Sequence, residues 1–154
     1  MLRVGRLADY GILILHHLGR VRPARLSMEA IAGVTHVPLP TVRKVMRFLT
    51  EARLVISKRG PNGGYELARP PAAINLAEAI AAVEGATALT DCCGSAPDCE
   101  LMDRCELAGR WPGVNRIILR VLERTSLADL DRFGEPRASI PPHLKALFET
   151  AARP

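Results

Sequence analysis

Four cysteines lie within the 14-residue window 92–105, and three of them are evenly spaced. Cys93, Cys99 and Cys105 follow one another at six-residue steps, and Cys92 directly precedes the first. Thiolates this close in sequence are metal ligands or disulfide partners. A zinc site usually shows two short C-x-x-C-like pairs or histidines at fixed spacing, which this window lacks. The even spacing suits an iron–sulfur cluster better, with four reduced structural cysteines as the alternative.

The remaining composition favours the metal interpretation over disulfides. Of 154 residues, 48% are apolar, enough for one domain with a hydrophobic core. No apolar run reaches the 18 residues of a membrane span, and Asp9 interrupts the only stretch resembling a signal peptide. We therefore expect a cytoplasmic protein without a membrane segment, in a reducing compartment where stable disulfides are rare.

Charge is divided unevenly along the chain. Residues 1–69 contain 12 Lys and Arg against 4 Asp and Glu, whereas residues 70–154 contain 9 against 12. A basic first half indicates a polyanionic partner, and an acidic second half indicates a separate role.

The first half predicts a winged helix-turn-helix in a mainly α-helical fold with a small β-hairpin. Apolar periodicity predicts helices over 6–19, 28–34 (begun by Ser27) and 40–52, and strands over 54–58 and 65–67. The Gly-rich RGPNGG between the strands forms the wing tip. The predicted DNA contacts on the third helix and the wing are Thr41, Arg43, Lys44, Arg47, Lys58 and Arg59. Solvated surface charge, or a helix-turn-helix that binds only protein, is the alternative.

The second half predicts a helix from the Asn75–Glu78 capping box to Gly85, then the cysteines in a loop. A long amphipathic helix follows over 111–124, and Thr125 is predicted to cap a last helical turn. Its expected apolar stripe is Val114, Ile117, Ile118, Val121 and Leu122. The expected domains are 1–71 for DNA binding, 72–130 for the cysteine loop and a dimerisation helix, and 131–154 as a flexible tail.

The sequence argues against an enzyme. It contains no paired acid and base, nucleophile triad or phosphate-binding loop, and RGPNGG is neither a Walker loop nor a dinucleotide fingerprint.

Four segments together resemble the Rrf2 family of winged-helix regulators, which sense iron–sulfur status and nitric oxide. They are RLADYGILIL, LPTVRKVMRFLTEARLVISKRGPNGGYELARPP, INLAEAIAAVEG and the three evenly spaced cysteines. The resemblance covers about residues 1–130, and the opening MLRVGRLADYG looks most like the branch that regulates SUF iron–sulfur assembly genes. It implies a homodimer joined through the long C-terminal helix, on a double-stranded DNA operator.

The resemblance also implies the cluster ligands. Cys93, Cys99 and Cys105 match the family's three ligating cysteines. The histidine that completes a 2Fe–2S site in the assembly repressors is replaced here by Ala108. Asp9 matches the aspartate that, in the nitric-oxide sensors, completes a 4Fe–4S site from the other subunit, and Cys92 is the rival ligand. A branch using Glu and His on the first helix does not fit, because Leu13 stands four residues after Asp9.

The function implied is a repressor of SUF genes controlled by a bound iron–sulfur cluster, either 4Fe–4S or 2Fe–2S. The alternative keeps the DNA-binding module but has the same cysteines sense oxidants, nitric oxide or a metal such as zinc directly.

Overall fold

The computed structural model describes residues 4–60, 63–85, 88–94, 99–133 and 140–144. Within them the chain forms mainly helices and one antiparallel hairpin, which confirms the predicted fold class. The helices are α1 (Arg6–Arg20), α2 (Met28–Thr35), α3 (Leu39–Glu51), α4 (Leu76–Glu84), α5 (Trp111–Arg124) and α6 (Leu127–Phe133). The strands are β1 (Val55–Lys58) and β2 (Gly64–Leu67).

Helices α2 and α3 form the helix-turn-helix. α2 begins as predicted at Ser27, whose hydroxyl oxygen accepts a hydrogen bond from the Ala30 N–H at 3.1 Å. It ends at His36, whose left-handed backbone (φ 57°) turns the chain towards α3. Pro40 fits the first turn of α3, where a missing N–H leaves no hydrogen bond unmade. The apolar face of α3 is buried and consists of Val42, Val45, Met46 and Leu49.

The hairpin stands beside this pair because it is bonded to the segment before α2. Lys58 pairs with Gly64 at its tip end and Val55 with Leu67 at its base. Leu26 and Tyr65 exchange two backbone hydrogen bonds, at 3.1 and 2.8 Å. Gly64 permits this close approach, since its φ is 136° and a Cβ atom there would lie 2.8 Å from the Leu26 carbonyl oxygen. We call α1–α3 with the hairpin the DNA-binding head.

Helix α4 starts with the predicted capping box. The Asn75 side chain accepts from the Glu78 N–H at 2.9 Å, and the Glu78 carboxylate accepts from the Asn75 N–H at 3.3 Å. Residues 88–94 and 99–110, which we call the cysteine loop, connect α4 to α5 through turns and one short 3₁₀ helix, Asp91–Cys93.

The end of α5 returns to the start of α4. Leu76 N–H donates to the Thr125 carbonyl and Leu127 N–H donates to the Ile74 carbonyl, both at 2.9 Å. The prediction that Thr125 caps the last helix is wrong, because its hydroxyl donates to the Val121 carbonyl of α5 at 2.8 Å.

The start of α6 is stabilised instead by Ser126 and Asp129. The Ser126 N–H and hydroxyl donate to the Asp129 carboxylate at 2.9 and 2.7 Å. Burial raises the pKa of Asp129, but these hydrogen bonds and the charges of His143 and Arg132 outweigh it, so the pKa lies below its ordinary value of 3.8.

One hydrophobic core joins elements from both halves of the chain. Leu15 of α1, Leu49 of α3 and Leu67 of β2 share it with Ile74, Ala79 of α4 and Leu127 of α6. A single core therefore spans the predicted domain boundary at residue 71.

Part of the predicted tail is packed. Within 131–154, Asp131–Phe133 belong to α6, and Pro141 and Leu144 are buried. The His143 ring nitrogen lies 3.0 Å from the Arg124 carbonyl oxygen, at the end of α5. These residues pack against the rest of the chain, whereas residues 134–139 and 145–154 lie outside the described residues, so the flexible tail stays a prediction.

No helix in the described part of the chain is long and apolar enough to cross a membrane.

Candidate nucleic-acid interface and cysteine loop

The exposed face of α3 carries the predicted recognition residues. Arg43, Lys44 and Arg47 are exposed and Thr41 is half-buried at the first turn. Arg43 and Arg47 line an open groove of about 290 Å³ between α3 and the hairpin. The groove is completed by Met28, Met46, Thr50, Glu51, Ser57 and Tyr65. The structure thus brings two of the three predicted cations of α3 together beside the wing.

Each groove arginine has a neighbour that attracts its charge. The Arg47 guanidinium carbon lies 5.1 Å from the centre of the Phe48 ring, a cation–π contact. The Glu29 backbone N–H and the Ser27 hydroxyl lower the pKa of Glu29 below 4.5, partly opposed by burial, and the charge of Arg43 lowers it further. Arg43 therefore lies within the electrostatic reach of an ionised Glu29 at the start of α2.

Lys58 and Arg59 are exposed where the hairpin approaches its tip. The turn is closed by a 2.8 Å hydrogen bond from the Gly63 N–H to the Gly60 carbonyl, and Gly60 has a φ of 111°. Pro61 and Asn62 lie outside the described residues. The two cations lie at the tip end of the hairpin that lines the groove, and both were predicted from the sequence as DNA contacts.

All four cysteines are free and half-buried in the cysteine loop. The Thr90 hydroxyl oxygen lies 3.1 Å from the Cys92 sulfur and 3.2 Å from the Cys93 sulfur. Because this hydroxyl has one hydrogen, it donates to one thiol at a time and accepts from the other. Cys99 and Cys105 each begin a turn, with their carbonyls accepting from Met102 and Ala108 N–H at 3.0 and 3.1 Å.

The predicted ligands do not converge within one chain. Among the described residues, no three His, Cys, Asp or Glu side chains come close enough to hold a metal ion. Asp9 is exposed in the first turn of α1. Its assignment as a ligand, and the choice between Asp9 and Cys92, therefore remain predictions.

The chemistry of the donor set fits an iron–sulfur cluster. Three half-buried, unpaired thiols in one loop supply the soft ligands that iron–sulfur clusters take. The Thr90 hydroxyl can donate to a ligating sulfur, the kind of hydrogen bond that tunes such a group.

One polar residue near the loop was missed from the sequence. Asn115 of α5 is buried, and its side-chain oxygen accepts from the Leu89 N–H at 3.1 Å. The periodicity held the necessary information, because Asn115 precedes Ile118 and Leu122 by three and seven residues and so shares their inner face.

The apolar stripe predicted for α5 is divided between two faces. Ile118, Val121 and Leu122 are partly covered within the chain, whereas Val114 and Ile117 are exposed, Ile117 by 67%. Further exposed apolar side chains lie just before or at the start of α5: Leu101, Met102, Leu107 and Trp111. The described surface thus presents an apolar area centred on the first half of α5.

Known proteins resemble this chain over most of its length. The Rrf2 family model, described as an iron-dependent transcriptional regulator, matches residues 5–132. An HTH-type transcriptional regulator of Neisseria meningitidis serogroup A is 34% identical over 126 residues, 82% of this chain and 83% of that protein. The HTH-type transcriptional regulator NsrR of Oceanobacillus iheyensis is 30% identical over 127 residues, 81% of this chain and 86% of that protein.

Solved structures agree with the family match. CymR, the global cysteine regulator of B. subtilis, superposes with a TM-score of 0.71 at 27% identity, covering 88% of this chain and 100% of that one. IscR of T. potens gives a TM-score of 0.66 at 26% identity, covering 94% and 96%. These relatives are transcription regulators rather than enzymes. The chain belongs to the Rrf2 family of DNA-binding transcription regulators.

Proposed function

We propose that this regulator represses SUF-type iron–sulfur assembly genes and that its operator affinity depends on an iron–sulfur cluster held by the cysteine loop. The observation that carries the proposal is the series of structural connections between the thiols of the cysteine loop and the recognition helix α3. The cysteine loop runs directly into α5, and the end of α5 is bonded back to the start of α4, which packs into the same core as α3.

The groove between α3 and the hairpin is the DNA-binding surface. Arg43 and Arg47 are placed to reach base edges in a major groove, and Lys58 and Arg59 to reach a neighbouring phosphate or minor groove. Thr41 and Lys44 complete the contact set from the start and outer side of α3. The partner is a double-stranded operator.

Two copies of the chain present two recognition helices. The exposed Val114 and Ile117 of α5 form the apolar surface on which a second copy packs, since a patch of this kind marks an interaction site. In a two-fold dimer, the separation of the two α3 helices must match the half-site spacing of the operator.

Cys93, Cys99 and Cys105 are the proposed ligands of one chain, and Asp9 from the second copy is the proposed fourth. A bound cluster, 4Fe–4S or 2Fe–2S, would supply a target for oxidants and nitric oxide. A carboxylate binds iron less strongly than thiolate does, so Asp9 is the ligand most readily released. Release of this ligand would change the fraction of dimers in which the two DNA-binding heads are arranged to fit the operator.

Direct sensing by the thiols is the second candidate. It is favoured by the adjacent Cys92 and Cys93 sulfurs, which share the Thr90 hydroxyl as a hydrogen-bond partner. In this case an oxidant, nitric oxide or zinc would act on the cysteines without iron.

Purification without oxygen separates the two candidates. We expect a brown protein that contains iron and sulfide. We also expect it to bind a SUF promoter fragment with an affinity that changes when the cluster is removed. Cys93→Ala, Cys99→Ala and Cys105→Ala should each lose the iron while keeping a folded dimer, and Cys92→Ala is the matched control that keeps it. A colourless protein with zinc or no metal, whose promoter binding still responds to oxidants, would establish direct thiol sensing instead.

A further inference from the structure

We infer that Asn115 is the residue that positions the first ligand segment of the cysteine loop on α5. The inference rests on the proposed function of that loop and assigns a role to a residue outside the ligand set.

Asn115 is the only residue of α5 that is more than nine-tenths buried, with 8% of its surface exposed. A primary amide on the inner face of an amphipathic helix is costly to bury unless it is hydrogen-bonded. Leucine has the same number and branching of side-chain heavy atoms and could be buried there without this cost. A polar side chain at the best-buried position of the helix is therefore explained by its specific partner.

That partner is the backbone N–H of Leu89, 3.1 Å from the Asn115 side-chain oxygen. Since a backbone N–H only donates, the atom facing it must be the amide oxygen. The bond joins positions 26 residues apart, and it is made where the cysteine loop leaves α4.

Leu89 is connected to Cys93 through the next residue, Thr90. The Thr90 carbonyl accepts from the Cys93 N–H at 2.8 Å, and the Thr90 hydroxyl lies within 3.2 Å of the Cys93 sulfur. The residue after the anchored one thus contacts both the backbone and the side chain of Cys93.

The other end of the loop is also fixed to the first turns of α5. The Cys105 carbonyl accepts from the Ala108 N–H, and the Leu107 carbonyl accepts from Arg110 and Trp111 N–H at 2.9 and 3.1 Å. Cys105 is joined to α5 through this continuous turn, and Cys93 is joined to it through Asn115. The start of α5 is therefore a common frame for the first and last proposed ligands.

Two consequences follow for function. Holding both ends of the loop reduces the entropy lost when the thiols are brought together around a cluster. The Asn115 bond also couples Cys93 to α5, so a movement of Cys93 would be transmitted to the helix that carries the proposed dimer surface. The short 3₁₀ helix Asp91–Cys93 also packs against α5, and the Asn115 bond adds a directional hydrogen bond to that packing.

The test compares two near-isosteric variants. Asn115→Leu removes the acceptor, whereas Asn115→Asp keeps an oxygen in the same place. In the metal-free dimer, amide hydrogen exchange at Leu89 should be about three- to tenfold faster in Asn115→Leu, the effect of losing one net hydrogen bond, and close to wild type in Asn115→Asp. Arg116→Gln, at the exposed neighbouring position, is the control for substitution in α5.

The second measurement is the lifetime of the cluster in air. It should shorten by a similar factor in Asn115→Leu and stay near the wild-type value in Asn115→Asp. Unchanged Leu89 exchange in Asn115→Leu, or equal effects of both variants, would overturn the inference, and so would faster exchange with an unaltered cluster lifetime. Should Asn115→Leu fail to fold, Asn115→Ala gives the same comparison against Asn115→Asp.

The two proposals fail separately. If the wild-type protein holds no iron, the proposed cluster control is wrong, whereas Leu89 exchange in the metal-free dimer still decides whether Asn115 fixes the loop.

Discussion

The Nε atom of Arg47 lies 3.8 Å from the Oε1 atom of Glu51, one turn further along α3. Both side chains are about two-thirds exposed, so this ion pair adds little to folding, about 0.3–0.5 kcal/mol for a pair at this spacing. Both also line the groove assigned to DNA. Glu51 therefore pairs with the Arg47 guanidinium in the free protein, and in the proposed complex it would place a negative charge near the phosphates.

Removing that carboxylate should strengthen DNA binding. We expect Glu51→Gln to raise operator affinity about twofold, because Arg47 no longer leaves an ion pair of about 0.3–0.5 kcal/mol when it meets DNA. Fluorescence anisotropy with a labelled operator measures this change. Glu123→Gln on the exposed side of α5 makes the same charge change away from the groove and should leave affinity unaltered. Weaker binding by Glu51→Gln would show that Glu51 itself contacts the operator.

The groove arginines should contribute specific affinity. Arg43→Ala and Arg47→Ala should each weaken operator binding by about 1–3 kcal/mol, the usual contribution of a bidentate base contact. The loss should be smaller on unrelated DNA. Arg20→Ala, an exposed position of α1, is the control. Equal losses on operator and unrelated DNA would reassign the two arginines to phosphates.

The wing arginine should behave differently. If Arg59 meets a phosphate, Arg59→Ala should weaken binding to all duplexes alike and make the salt dependence shallower by about one unit of slope. Titrations at several salt concentrations test this. An unaltered slope together with lost sequence preference would place Arg59 on a base edge in the minor groove.

Asp9 can be tested in a mixed dimer. One chain carries Asp9→Ala, and the other carries Cys93→Ala with Cys99→Ala. If Asp9 ligates across the dimer, one site combines all the defects and the other has none, so the heterodimer should hold one normal cluster by absorbance and iron content. Ligation within one chain makes both sites defective. A folded heterodimer without a normal cluster would remove Asp9 as a cross-subunit ligand and favour Cys92.

Acid should weaken one contact at the α5–α6 junction. Because the pKa of Asp129 is lowered in the folded protein, its ionised form stabilises the fold above the ordinary pKa of 3.8, and this contribution is lost as pH falls through the lower folded value. Thermal unfolding should therefore show Asp129→Asn less stable than wild type at neutral pH, with the difference shrinking below about pH 4. Asp103→Asn, in the exposed part of the cysteine loop, controls for the loss of one negative charge. A difference that stays constant down to pH 2 would contradict the assignment.

The sequence predicts local structure well where one physical rule dominates. The bounds of α1–α5 follow from apolar periodicity with caps at Ser27 and Asn75, and the hairpin follows from its Gly-rich tip. Thr125 and Ser126 show the limit of this reasoning. Both are good capping residues. The structure shows that Thr125 closes α5 while Ser126 opens α6, at a junction where Leu76 N–H bonds to the Thr125 carbonyl and Leu127 N–H to the Ile74 carbonyl.

The site depends more on tertiary contacts. Ile117 and Ile118 are neighbours in one apolar stripe of α5. The amphipathic pattern therefore does not reveal that Ile118 is partly covered within the chain while Ile117 is exposed. Likewise, the polar side chain of Asn115 predicts an exposed position, whereas its place in the apolar periodicity of α5 predicts a buried one. The even cysteine spacing identifies the loop but does not place its thiols in space.

Leu127 is 1% exposed in the core that also holds Leu15 and Leu49, and its N–H bonds to Ile74. During synthesis, the ribosome makes α1–α3, the hairpin and α4 long before this residue. The core of the DNA-binding head therefore stays open on one side until the cysteine loop and α5 have been translated. A nascent chain released before residue 127 would expose that apolar side, so the DNA-binding head completes its core only after the half that contains the cysteine loop has been made.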